Sequence, residues 1–98
     1  NVLLEAMASG LATVAFDYAA ASEHVQHGVN GLKAFYGDEN GFMRLATELV
    51  VAPETVHRLG RAARLTAGGL AWDRVVDTLL ADYRQLLAGQ AIQPGRPQ

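Results

Sequence analysis

The sequence has no cysteine, no long hydrophobic run and no excess of basic residues. Without cysteine, a disulfide framework and a thiolate metal site are both excluded. No apolar stretch approaches the roughly 20 residues that a membrane-spanning helix needs. Eight lysines and arginines stand against ten acidic residues, which gives a net charge of −2 without any basic stripe. This charge balance argues against nucleic acid as a partner.

Hydrophobic residues make up 50% of the 98 positions, so we expect the chain to fold rather than remain disordered. The length allows one small unit, near the lower limit for an α/β domain that is stable alone. Asn1 falls at the cap position of the first predicted helix, without the loop that normally precedes such a helix. We therefore expect the chain to be a fragment of a longer polypeptide, for which the missing N-terminal signal has no meaning.

The opening segment, residues 1–17, carries the most informative pattern. Residues 2–8 (VLLEAMA) predict a short helix in which Glu5 is the one charged residue. Gly10 predicts the end of that helix, and the apolar run 11–16 (LATVAF) predicts a strand with helices on both faces. Because the neighbours of Glu5 are apolar or small, we expect both helix faces to be covered. A carboxylate there needs a partner or a cleft.

Segment 5–17 (EAMASGLATVAFD) resembles a motif of the GT-B-fold glycosyltransferases of group 1, also called family four. Their pattern is a glutamate, seven residues, a second glutamate and then AMASGxPVVA. Glu5 matches the second glutamate, and the first would lie before Asn1. The resemblance covers roughly residues 1–83 and is specific in its first third. It implies an α/β fold, namely the Rossmann-like parallel-sheet portion of a GT-B C-terminal domain, with a helix-rich C-terminal half.

The resemblance also implies a function. The parent protein is expected to be a retaining, hexosyltransferase-like glycosyltransferase that moves a sugar from a UDP-sugar or GDP-sugar donor to an acceptor, without a metal or other cofactor. In similar enzymes the glutamate matching Glu5 contacts the donor's ribose, and the missing first glutamate contacts the donor sugar. The fragment alone is expected to be inactive, because an Arg/Lys pair and the N-terminal lobe of the same chain lie upstream. A cytoplasmic location, free or peripheral at the inner membrane face, is implied.

The residues themselves give this donor site a physical basis. A diphosphate suits the free amides at a helix N-terminus, and Val2 and Leu3 supply the candidate N–H groups, with Asn1 at the helix start. A carboxylate one turn further on can accept both hydroxyls of a ribose diol, each bond contributing roughly 1.5–3 kcal/mol. The structural alternatives are an exposed or salt-bridged Glu5, and amides that the missing loop caps.

The other polar candidates have plainer interpretations. Glu23 fits the first turn of a short helix, and Asp17 follows a strand end, where it is either a ligand contact or a cap. Trp72 is interpreted as a packing anchor. The histidines and arginines without metal-ligand spacing or a phosphate motif are interpreted as surface residues: His24, His27, His57, Arg58, Arg61 and Arg64.

Two turns follow the first predicted strand. Ala19 and Ala20 stand where the family usually has glycines, and alanine disfavours positive φ. We therefore expect ordinary backbone angles in this loop. The Asn30–Gly31 pair predicts the two positive-φ positions of a tight turn, followed by a strand over residues 32–35.

The C-terminal half predicts three helices. Asp38 begins the first and Pro53 ends it, while Pro53 itself begins the second. Gly68 and Gly69 are expected to end the second helix, and residues 71–73 (AWD) to open the last one. Residues 1–88 are thus the expected folded part. Residues 89–98, with two prolines and two glycines, predict a disordered tail.

Two alternatives to a transferase stay open. A nucleotide- or phosphate-binding module without transferase activity, such as an epimerase-like lobe, would carry different acidic residues before Asn1. A purely structural α/β fragment would bind no donor. In each case the uncovered sheet edges and helix faces predict that the isolated fragment self-associates.

Overall fold

The computed structural model describes residues 1–89. Its elements follow in the order α1 (Val2–Ala8), β1 (Val14–Phe16), α2 (Ala20–His24), β2 (Leu32–Ala34), α3 (Glu39–Val50) and α4 (Pro53–Leu87). The two strands are parallel, with Val14 opposite Leu32 and Phe16 opposite Ala34. The predicted α/β class with a helix-rich C-terminal half is confirmed. Apart from Gly89, the predicted tail lies outside the described residues.

The first helix and strand form as the sequence predicts, although the strand is shorter. Asn1 caps α1, because its Oδ1 accepts hydrogen bonds from the amides of Leu3 at 2.9 Å and Leu4 at 3.3 Å. Gly10 follows the helix with φ +76°, a backbone conformation that glycine adopts without penalty. The strand then begins only at Val14.

Helices cover both faces of the two-stranded sheet. On one face, Ala15 packs against a buried cluster of Met7, Ala21, Val25 and Ala63, which joins α1, α2 and α4. Successive strand residues point to opposite faces, so Phe16 lies on the other face. There its ring centroid is 5.0 Å from that of Phe42 in α3.

Gly60 allows α4 to approach the turn between α1 and β1. A β-carbon at Gly60 would collide with the carbonyl oxygen of Gly10. Leu59 and Ala63, on either side of this contact, are fully buried. The contact fixes the first half of α4 against the body of the molecule.

The predicted break at Gly68 and Gly69 is wrong, because α4 continues without interruption to Leu87. Neither glycine has positive φ, and a β-carbon on either would meet nothing within 4 Å. An interior glycine costs about 1 kcal/mol relative to alanine, which the good helix formers on both sides offset. Residues 71–73 therefore lie inside α4 and do not open a new helix.

The prediction of ordinary backbone angles after β1 is also wrong. Ala19 has φ +52° and ψ −126°. Two backbone hydrogen bonds on either side explain this conformation. The Tyr18 amide donates to the Phe16 carbonyl at 2.8 Å, and the Ala21 amide donates to the Tyr18 carbonyl at 3.2 Å. These bonds enforce a sharp turn at a residue with a β-carbon. Such strain typically costs about 1–3 kcal/mol.

The turn before β2 forms differently from the prediction. Gly28 has positive φ, whereas Asn30 and Gly31 do not. Asn30 is instead buried, and its side chain forms hydrogen bonds with backbone groups of the turn and with a side chain of α4. Its Oδ1 accepts from the amide of Gln26 at 2.7 Å, and its Nδ2 donates to the carbonyl of His24 and to Thr66 Oγ1, both at 3.0 Å.

The remaining boundaries agree with the sequence. Asp38 caps α3, since its Oδ1 accepts from the amide of Gly41 at 3.0 Å. Pro53 occupies the first turn of α4, where its missing N–H is not needed. The strand predicted over residues 32–35 is confirmed as Leu32–Ala34.

Candidate functional site

Glu5 lies on the solvent-facing side of α1. Its side chain is 80% exposed, so the expectation that both faces of this helix are covered is wrong. The helix buries only the side that carries Met7, because α4 packs there. The Glu5 side chain is thus largely open to solvent.

A depression of about 320 Å³ lies beside Glu5, between α1 and α4. Its lining residues come from these two helices: Asn1, Leu4, Glu5, Ala8, Ala67, Leu70, Ala71 and Arg74. The walls therefore combine one carboxylate, one guanidinium, one carboxamide and five apolar side chains. Arg74 could not be predicted as part of this lining, because the predicted break at Gly68 and Gly69 left the direction of the following helix undefined.

The amides at the start of α1 are partly engaged. The amide of Leu3 donates to Asn1 Oδ1, and the side chain of Val2 is exposed at the helix start. Glu5 Oε1 is 3.9 Å from the first nitrogen of the chain, so the carboxylate also reaches toward this end.

A second depression lies where the parallel strands end. It measures about 360 Å³ and is bordered by polar and apolar residues of β2, α3 and the adjoining loops: Asp17, His27, Lys33, Ala34, Phe35, Asp38, Gly41, Arg44 and Leu45. Asp17 Oδ1 accepts a hydrogen bond from Ser22 Oγ at 2.7 Å and lies 3.6 Å from Lys33 Nζ. Asp17 thus holds α2 and β2 together at the strand ends, where open α/β sheets bind ligands.

Next to this depression four aromatic rings form a row from two exposed tyrosines to two half-buried phenylalanines. Tyr18 and Tyr36 have ring centroids 4.7 Å apart with planes inclined by 34°. Tyr36 then meets Phe16 edge-on at 6.4 Å, and Phe16 meets Phe42. Sequence reasoning missed this row. The available signal is that each tyrosine follows the end of one of two parallel strands by two residues.

Two of the histidines and one of the arginines make polar contacts within the fold. His27 Nδ1 accepts from the amide of Lys33 at 2.9 Å, and Arg58 donates to the carbonyl of Gly28 at 2.7 Å. His24 Nε2 is 3.5 Å from the Glu23 carboxylate. Within residues 1–89 no three histidine, aspartate or glutamate side chains gather closely enough to hold a metal ion.

Two further features concern α4. Trp72 is 67% exposed, so its interpretation as a packing anchor is wrong for the described part of the chain. None of the helices in residues 1–89 combines the length and the apolar character that crossing a bilayer requires.

Two parallel strands between helical layers, with a helix-rich C-terminal half, define an α/β protein. Residues 1–52, more than half of the chain, match the family model described as glycosyl transferases group 1. The chain belongs to this family, which confirms the resemblance read from segment 5–17.

Two curated relatives are both named D-inositol 3-phosphate glycosyltransferase. The relative from Segniliparus rotundus is 33% identical over 95 residues, which cover 97% of this chain and 21% of the relative. The relative from Thermobifida fusca is 31% identical over 86 residues, which cover 88% of this chain and 20% of the relative. The chain therefore spans about a fifth of the length of these relatives. No solved structure matches the chain significantly.

Proposed function

We propose that the protein containing this chain transfers a hexose from a nucleotide-sugar donor, a UDP-sugar or a GDP-sugar, to an acceptor with retention of configuration. The chain supplies part of the donor-binding surface and is inactive alone. The observation that carries the proposal is the exposed carboxylate of Glu5 on α1, beside a depression shared with Arg74. Membership of the glycosyl transferases group 1 family supports sugar transfer as the reaction.

In this proposal Glu5 accepts hydrogen bonds from the two ribose hydroxyls of the donor. A diol presents two adjacent donors, and a carboxylate accepts both, which is the pairing that charge-assisted bonds favour. The high exposure of Glu5 leaves its oxygens free for this contact. Because Glu5 lies one turn into α1, the proposal has the adjoining diphosphate of the donor at the helix start.

The diphosphate binds the amides of Val2 and Leu3, with Asn1 yielding its hydrogen bond to Leu3. Negative charge grows on this leaving group in the transition state, and the helix N-terminus stabilises it. Arg74 lines the same depression and adds a fixed cation. With these groups the donor needs no metal ion, and no other cofactor is part of the proposal.

The names of the two relatives supply the acceptor of this proposal. Both are named for D-inositol 3-phosphate, and we take this phosphorylated cyclitol as the acceptor. The N-terminal lobe of the same chain completes the site, and the enzyme works in the cytoplasm, free or peripheral at the inner membrane face. In this proposal the isolated chain self-associates through the exposed apolar side chains of α4. A monomer at high concentration in sedimentation velocity would contradict this self-association.

Calorimetry with the complete protein tests the donor site. We expect Glu5→Gln to weaken binding of UDP-glucose or GDP-mannose roughly ten- to a hundredfold, the loss of about 1.5–3 kcal/mol. The matched control is Glu23→Gln, an exposed glutamate on α2 that contacts His24. An unchanged donor Kd in Glu5→Gln contradicts the proposal. Donor binding without any sugar transfer instead favours an epimerase-like or other binding module.

A further inference from the structure

The outer edge of β2 keeps one backbone acceptor and one backbone donor free. The Ala34 carbonyl accepts from the Asp17 amide and therefore faces β1. Successive residues of a strand in a parallel ladder turn their backbone groups to opposite edges, so Lys33 and Phe35 face away from β1. Within residues 1–89, neither the Lys33 carbonyl nor the Phe35 amide forms a hydrogen bond with another group of the protein.

The neighbouring residues limit the free edge to this single pair. His27 Nδ1 accepts from the Lys33 amide at 2.9 Å, which closes the edge before the pair. The Phe35 carbonyl accepts from the Asp38 amide at 2.9 Å, which closes the edge after it. An added β-strand gains its affinity from a series of main-chain hydrogen bonds, and such a series cannot form here. The edge therefore suits a small ligand better than an extended peptide.

The second depression, of about 360 Å³, adjoins this edge. His27, which meets the outward-facing Lys33 amide, lines it together with Lys33, Ala34 and Phe35, and Leu45 of α3 adds an apolar wall. Pockets for small organic ligands measure about 300–1,000 Å³ and combine apolar walls with a few directed polar groups. This depression shares no lining residue with the depression between α1 and α4.

One cation in the lining is available to an anionic substituent. Arg44 of α3 is exposed and forms no ion pair with the other side chains of residues 1–89. The two carboxylates in the lining are already engaged. Asp17 lies 3.6 Å from Lys33 Nζ, and Asp38 Oδ1 accepts from the Gly41 amide. A phosphate in the depression would therefore find its partner in Arg44.

We propose that the second depression binds a nucleoside monophosphate whose base carries an amino group beside a ring nitrogen, as adenine does. The inference goes beyond the proposed donor site and does not rest on it. The amino group donates to the Lys33 carbonyl, and the ring nitrogen accepts from the Phe35 amide. The apolar lining of Ala34 and Leu45 suits the faces of the base, and Arg44 forms a charge-assisted contact with the phosphate.

Calorimetry on the complete protein tests the base contact with two ligands. AMP is titrated into the millimolar range and should bind. Purine riboside 5′-monophosphate lacks the 6-amino donor and should bind roughly tenfold more weakly, because the Lys33 carbonyl then has no partner. NMR of protein labelled with 15N-phenylalanine gives a direct readout, since AMP should shift the Phe35 amide signal, which is the signal absent from Phe35→Ala.

Variants at position 35 separate the backbone amide from the side chain. Phe35→Pro removes the N–H and should weaken AMP binding roughly tenfold, whereas Phe35→Ala keeps the N–H and should retain most of the affinity. Proline is compatible with the fold here because this N–H makes no internal hydrogen bond and Ala34 before it is already extended. Circular dichroism shows whether both variants fold.

The phosphate contact has its own pair of variants. Arg44→Gln should weaken AMP binding roughly tenfold and leave adenosine binding unchanged, because adenosine carries no phosphate. The matched control is Arg84→Gln, which removes an exposed arginine of α4 and should leave the AMP affinity unchanged. Equal AMP affinities of Arg44→Gln and Arg84→Gln would contradict the phosphate contact.

The outcomes also separate this inference from the donor proposal. Absence of AMP binding, or equal AMP affinity of Phe35→Pro and Phe35→Ala, overturns it. A loss of AMP binding in Glu5→Gln that Phe35→Pro does not share also overturns it, because AMP then occupies the donor site. If Phe35→Pro does not fold, equal affinities for AMP and purine riboside 5′-monophosphate decide against it. An unchanged donor Kd in Glu5→Gln contradicts only the donor proposal.

Discussion

In the first two-thirds of the chain, helices from four parts of the sequence close around the sheet and bury Met7, Leu59 and Ala63 completely. In the last third, α4 extends beyond this body, and its apolar side chains are exposed in the described structure: Trp72, Val75, Leu79, Leu80, Tyr83, Leu86 and Leu87. Both regions show apolar residues at helical spacing. The spacing therefore predicts a helix in each case, but only the three-dimensional packing shows which helix face has found its partner.

The largest expected effect comes from removing a side chain at the centre of the packed region. Met7→Ala should lower the free energy of unfolding by about 2–5 kcal/mol, because it leaves a cavity among residues that cannot close over it. Leu79→Ala is the matched change in α4, where the side chain is largely exposed, and should stay within about 0.5 kcal/mol. Urea unfolding followed by circular dichroism measures both. Equal losses at the two positions would remove the contrast between the regions.

A second pair of substitutions compares the same change at two places in α4. Gly60→Ala should destabilise the protein by about 1–3 kcal/mol, because its β-carbon collides with the carbonyl oxygen of Gly10. Gly68→Ala meets only open space and should stabilise the helix by about 0.5–1 kcal/mol. Melting curves should show a lower melting temperature for Gly60→Ala and a higher one for Gly68→Ala. Two shifts of the same sign would mean that the contact at Gly60 does not constrain the helix.

The smallest expected effect concerns strain inside the packed region. Ala19→Gly should raise the free energy of unfolding by about 1 kcal/mol, because relief of the positive φ exceeds the entropy that glycine adds to the unfolded chain. The neighbouring control, Ala20→Gly, lies in α2 and should lower it by about 0.5–1 kcal/mol. Chemical denaturation resolves these differences when all three proteins are measured together. Destabilisation by Ala19→Gly would show that the turn is not strained.

Much of the fold could be predicted because its signals are local. The caps at Asn1 and Asp38, the proline at the start of α4 and the apolar strand segments each depend on neighbours a few residues away. The failures have distant causes. Asn30 is buried because it bonds Thr66, 36 positions further on, and no nearby residue signals that contact.

The candidate site also contains residues that local sequence predicts and residues that it does not. Glu5 could be identified from its motif, since the match depends on consecutive residues in segment 5–17. Arg74 and the pair of Tyr18 and Tyr36 could not, because their neighbours are set by the course of α4 and by the register of two parallel strands. A motif thus indicates one side of a binding site, while the opposite side depends on how the elements pack.

Because α4 is continuous, a change in its angle at one end moves its other end by a larger distance. From the contact at Gly60 to the helix end at Leu87 the rise is roughly 40 Å, at about 1.5 Å per residue. A tilt of about 5° at the Gly10–Gly60 contact therefore displaces the far end by roughly 3.5 Å, while the packed residues around Met7 scarcely move. A sub-ångström adjustment at the Gly10–Gly60 contact would therefore appear at the far end of α4 as a displacement of several ångströms.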